Sequence, residues 1–92
     1  MIKIIIAQRG WVYVGRFERQ GNHVVLTDGA NVRRWGTRDK GLGYLAERGP
    51  TDDTVLDPCI RPIEMLELTT VAQHECNEEV WDKVLDDLEL PE

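Results

Sequence analysis

A chain of 92 residues and 10.6 kDa with 41% hydrophobic content supports one domain around one modest core and leaves no room for a second. Its net charge of −6 argues against non-specific binding to duplex DNA or to an anionic membrane, both of which rely on clustered Lys and Arg. With no run of about 18 apolar residues, no signal-like segment and only two cysteines, Cys59 and Cys76, the expected setting is a reducing cytoplasm.

Ile2, Ile4 and Ile6 alternate with Lys3, Ile5 and Ala7, a period of two that predicts a strand. Arg9-Gly10 turns the chain into a second run. There Trp11, Tyr13 and Phe17 share one face with Gly15, and Val12, Val14, Arg16 and Glu18 take the other. Both faces are partly apolar, which suits a central strand, and Gly15 signals a bend, a bulge or a close backbone approach. After the turn Gln20-Gly21-Asn22, the run Val24-Val25-Leu26 reads as a buried strand. Asp28-Gly29 is then either a tight turn into Ala30 to Trp35 or a bulge in one long bent strand.

Asp39 is placed to cap a helix over 40–48 that Gly49-Pro50 ends, although Gly41 and Gly43 each cost it roughly 1 kcal/mol. Thr54 to Arg61, interrupted by Pro58, reads as an edge strand; Pro62 to Leu66 reads as a tight turn, and Glu67 to His74 as the last strand. Val80, Trp81, Val84, Leu85 and Leu88 recur at helical spacing, which predicts an amphipathic helix over 77–89 capped by Asn77. Its Asp86, Asp87 and Glu89 lie at the wrong end of the helix dipole, so the last turn frays unless a basic surface covers it. The fold class expected is β-rich α+β: a small curled antiparallel sheet or a partly open SH3-like or Sm-like barrel, with one short inserted helix and a C-terminal amphipathic helix. Residues 1–92 are read as a single domain, with the β-rich core over 2–74.

Charge divides the chain in two. Up to Arg48 nine basic residues oppose four acidic ones, and from Gly49 onward only Arg61 and Lys83 oppose thirteen carboxylates. The segment from Arg33 to Gly43 concentrates Arg33, Arg34, Arg38 and Lys40 with Trp35, Thr37, Gly41 and Gly43. Guanidinium groups bind phosphate oxygens in a bidentate way, an indole stacks a base, and glycine lets a ligand approach backbone N–H groups. These eight residues are the candidate ligand-binding set for a nucleotide-like anion held at an oligomer interface. The same types in a purely structural role would be a core tryptophan, arginines paired with the acidic half, and turn glycines.

Gly41-Leu42-Gly43-Tyr44-Leu45-Ala46 matches the letters of a dinucleotide fingerprint but lacks the buried parallel strand that must precede it. His74, Glu75, Cys76 and Cys59 lack the paired short spacings of structural zinc, so no metal and no other cofactor are expected. No nucleophile elbow, phosphate-binding loop with its lysine, or Ser-His-Asp set is present, and a non-enzymatic protein is expected. A different class of partner, a host or defence protein, would be met by the acidic C-terminal helix, with Trp81 as anchor and Asp82, Asp86 and Asp87 carrying the contact.

Arg9-Gly10-Trp11-Val12, Arg33-Arg34-Trp35-Gly36-Thr37, Gly41-Leu42-Gly43, Leu45-Ala46, Gly49-Pro50-Thr51 and Thr54-Val55-Leu56-Asp57-Pro58-Cys59 together form a pattern across residues 2–81. This pattern resembles a family of small phage and prophage proteins known only as a domain of unknown function. The resemblance implies the cytoplasm of a bacterial host and a phage accessory role such as counter-defence. That role would be filled by sequestering a nucleotide signal in an oligomeric pocket or by occluding a host protein.

Overall fold

The computed structural model describes residues 1–37 and 40–88. Six strands form one antiparallel sheet that stays open: β1 (Ile2–Ala7), β2 (Val12–Gln20), β3 (His23–Arg34), β4 (Val55–Pro58), β5 (Ile63–Leu66) and β6 (Thr70–Glu75). The order is β4-β3-β2-β1-β6, and β5 shares the outer edge of β3 with β4. Along that edge β4 pairs with Ala30 to Arg34 and β5 with His23 to Leu26. Two helices, α1 (Leu42–Arg48) and α2 (Glu78–Asp86), complete the fold. No helix among the described residues is long and apolar enough to cross a membrane.

Alternation along β1 and β2 separates two faces. Ile2, Ile4, Val12 and Val14 pack with Leu42, Leu45 and Ala46 of α1 and Trp81 and Leu85 of α2 into the main core. Ile5 points the other way, into a smaller cluster with Val24 and Leu26 that Tyr13, Phe17, Ile63 and Met65 partly cover. Each such aliphatic side chain withdrawn from water contributes about 1.5–3 kcal/mol, so the helix-covered face carries most of the stability.

The Asp28-Gly29 alternative resolves as a bulge within one twelve-residue strand. Val14 pairs with Ala30 and Arg16 with Thr27, so β3 spends one extra residue there. That residue reverses the alternation: Val24 and Leu26 serve the smaller cluster, whereas Ala30 and Val32 serve the main core. Asp28 takes the left-handed conformation (φ 52°) that an aspartate tolerates better than most residues. Gly29 is required by close approach, since a Cβ there would stand 2.6 Å from the Val14 carbonyl oxygen.

Four elements differ from expectation, one of them the last strand: β6 begins at Thr70, because Glu67–Thr69 forms a 3-10 turn held by the Thr70 hydroxyl on the Glu67 carbonyl. Pro62 to Leu66 is not a tight turn: β5 occupies Ile63–Leu66, because Ile63 and Met65 find an apolar seat beside Leu26 and Val24. Helix α1 begins at Leu42 with Gly41 at its cap position, and Asp39, expected to cap it, lies outside the described residues. Helix α2 ends at Asp86 and is capped as expected, with the Asn77 side chain accepting from the Glu79 N–H at 3.2 Å. Its acidic last turn is met by a cation. The Arg16 guanidinium donates to Asp82 (2.6 Å) and Asp86 (2.9 Å) on α2 and to Asp28 (3.1 Å) at the bulge. The bond to Asp82, above all, raises Arg16 further from its ordinary range. These pairs are largely exposed, so each adds well under about 1 kcal/mol.

Cys59 and Cys76 lie at opposite edges of the sheet, their N–H groups bonded to the Gly29 and Ile2 carbonyls respectively. Loss of solvation pushes the Cys76 thiol up to about 12. The folded chain therefore keeps a proton that the unfolded chain releases at the ordinary thiol range, and stability falls as pH rises from that range toward about 12. At neutral pH a thiol reagent is expected to modify Cys59 rapidly and Cys76 only on unfolding. In alkaline titrations followed by circular dichroism, Cys76→Ala is expected to flatten the loss of stability; an unchanged slope would refute this assignment.

Candidate functional site

The Arg33 to Gly43 segment does not converge on one site. Arg33 pairs with Asp57 through Nε at 3.3 Å, and this contact uses only one edge of the guanidinium. Arg34 is exposed where β3 pairs with Val55, and the indole of Trp35 is 43% exposed in the loop that follows. That loop is clamped by its own backbone: Thr54 Oγ1 donates to the Trp35 carbonyl (2.7 Å) and Thr51 Oγ1 to the Gly36 carbonyl (2.6 Å).

Thr37 is buried and its hydroxyl donates to the Lys40 carbonyl, so the expected hydrogen bond to a ligand is already consumed within the turn. Lys40 stands over the Tyr44 ring at 5.2 Å, with Arg48 at 5.8 Å. The hollow that Lys40 and Tyr44 line, about 320 Å³, also contains Asp52 and Asp53, whose charge disfavours a phosphate. Gly41 and Gly43 are not among the residues that line this hollow. Gly41 accepts from the Tyr44 and Leu45 N–H groups as the helix start, and a Cβ on it would meet nothing within 4 Å. Arg38 lies outside the described residues. The dinucleotide letters fall on α1, a connection between the antiparallel neighbours β3 and β4, where the fingerprint has no structural counterpart.

The C-terminal contact set is also divided. Trp81 is fully buried and its indole N–H donates to the Leu45 carbonyl at 3.1 Å, so it anchors α2 to α1 and cannot anchor a partner. Its spacing among apolar residues marked it as a core-facing position as much as a contact. Asp82 and Asp86 are engaged by Arg16, whereas Asp87 is exposed beyond the last helical turn.

One expected residue, Arg33, belongs instead to a hollow assembled from the β1–β2 turn and the adjacent end of β3. The short turn Gln8–Gly10 projects Arg9, and Trp11 follows in an extended conformation with its indole 56% exposed. Tyr13 pairs with Asn31, so the register of β2 and β3 brings Trp11 beside Arg33. Arg9, Trp11, Asn31 and Arg33 line an open concavity of about 340 Å³. Asn31 is oriented by its amide, which donates to the Val12 carbonyl at 3.1 Å and leaves the side-chain oxygen as an acceptor. Arg9 sits at φ 68°, a conformation that costs a non-glycine residue about 1 kcal/mol, and it makes no ion pair among the described residues. Sequence reading missed Arg9, Trp11 and Asn31 because strand register, not proximity in the chain, joins them to Arg33. The available signal was the sequence Arg9-Gly10-Trp11, a cation and an indole around a turn.

Chemically, the hollow offers a flat aromatic surface, two guanidinium groups and one amide acceptor. Among the described residues no three His, Cys, Asp or Glu side chains gather to hold a metal ion. No protein-family model matches the sequence, and no curated protein matches it.

Proposed function

We propose that this protein is a small non-catalytic binding protein that holds a phosphate-bearing, nucleotide-like ligand in the Arg9–Trp11–Arg33 hollow. The observation that carries this reading is the exposed Trp11 indole sharing a single concavity with Arg9 and Arg33. A base stacks on the indole, the Asn31 oxygen accepts from an exocyclic amino group, and phosphate oxygens meet Arg9 and the free edge of Arg33. In the phage context suggested by the resemblance of its sequence, such a protein serves as a counter-defence accessory that withdraws a nucleotide signal, as an oligomer. The acidic helix is less suited to be the working surface, since its tryptophan is internal and two of its carboxylates are engaged by Arg16.

Titration with adenosine diphosphate, ADP-ribose and cyclic dinucleotides is expected to quench tryptophan fluorescence and raise the melting temperature with at least one of them. Arg9→Gly should abolish the response while folding at least as well as the parent, because glycine relieves the left-handed backbone that arginine strains. Trp11→Leu should abolish the quench. A response retained in Arg9→Gly, or no response across the panel, would overturn the reading.

A further inference from the structure

We infer that the ligand of this surface is a short single strand of nucleic acid laid along β2, of which the hollow takes one nucleotide; this rests on the reading above. The hollow is the end of a longer row. Trp11, just before β2, and Tyr13 and Phe17 within it share the face opposite the helices, Gly15 holds the position between Tyr13 and Phe17, and those two rings are only partly buried where they cover the smaller cluster. Two residues of strand advance by about 7 Å, so Trp11 and Tyr13 stand about 7 Å apart and Tyr13 and Phe17 about 14 Å, spans that one and two extended nucleotides can cover.

Lys3 of β1 extends the same row. It pairs across from Gly15, places its ammonium 4.1 Å from the centre of the Phe17 ring, and donates to the Gln73 side chain at 3.1 Å. It makes no ion pair among the described residues. The row therefore has a cation at each end, Arg9 with Arg33 at one and Lys3 at the other, with aromatic rings between them. Flat rings flanked by cations receive unpaired bases and their phosphates, with little dependence on base identity. A duplex hides the base faces that the rings would take.

Segregation of charge supports the same placement. Arg16, which points to the helix side, is the cation that the α2 carboxylates consume, whereas Lys3 and Arg9 lie away from them. A polyanion on this face thus avoids the acidic helix in spite of the negative net charge, and the carboxylates it meets there are Asp57, already paired with Arg33, and Glu75, across from Lys3.

The test is fluorescence anisotropy of labelled oligothymidylates of increasing length with the full chain, beside thymidine monophosphate and a duplex of matched sequence. Affinity is expected to rise with length until about four nucleotides are covered and to fall with salt. Lys3→Gln is expected to weaken the longer oligomers about tenfold, as is Phe17→Leu provided circular dichroism shows it folded. Monophosphate binding with no gain from length, or equal affinity for the duplex, would overturn the inference and leave the single-nucleotide reading standing. Binding of neither monophosphate nor oligomer would overturn both.

Discussion

Replacing Trp81 by alanine is expected to cost about 3–5 kcal/mol of folding stability, the largest effect of any single substitution on the helix side. Trp81 is fully buried, and it joins α2 to α1 by packing and by its bond to the Leu45 carbonyl, beside the Asn77 cap, whose N–H donates to the Ala46 carbonyl. Truncation removes the ring from between two helices and the sheet, which can close over the void only in part. Trp81→Phe separates packing from hydrogen bonding. The Leu45 carbonyl also accepts from the Gly49 N–H at 2.9 Å, so it keeps a partner when the indole is lost. The phenylalanine variant should therefore lose about 1–2 kcal/mol, mostly from packing. Urea unfolding followed by far-ultraviolet circular dichroism checks both values. A cost below about 1 kcal/mol for Trp81→Ala would mean that α2 contributes little to the folded state.

Gly29→Ala is expected to destabilise by about 3 kcal/mol, because the added methyl meets backbone instead of a movable side chain. The obstacle is the Val14 carbonyl at 2.6 Å, with the Gly15 Cα at 3.5 Å behind it. Relief requires β2 and β3 to separate where the bulge brings them together, and both clusters border that point. Gly41→Ala is the matched control: its methyl meets nothing within 4 Å, and its effect should be about 1 kcal/mol, the cost of alanine at a helix cap. Equal melting temperatures for the two variants would refute the close-approach argument.

What could be read from the sequence follows a physical division. Period-two runs in β1 and β2, the Asn77 cap and the apolar spacing of α2 are local signals, and they gave the β-rich α+β class with its C-terminal helix. Strand β5 escaped because Pro62 and a length of four residues look like a turn until Leu26 and Val24 supply a neighbour. The bulge stayed ambiguous because Asp-Gly suits a hairpin and a left-handed bulge equally. At the candidate site only Arg33 was legible. A cluster in sequence along residues 33–43 is taken apart by a strand end, a clamped loop and a helix, while residues 9, 11 and 31 are joined to Arg33 by pairing across strands.

The extra residue in β3 has a consequence for how the molecule tolerates change in length. It acts as a reading frame: deleting one residue at the bulge, Asp28 or Gly29, would leave regular pairing that still sends Leu26 to one face and Ala30 and Val32 to the other. Forcing the strand at its present length into regular pairing would instead turn Ala30 and Val32 outward and Asn31 and Arg33 inward, and the interior and the ligand-facing surface would be lost together.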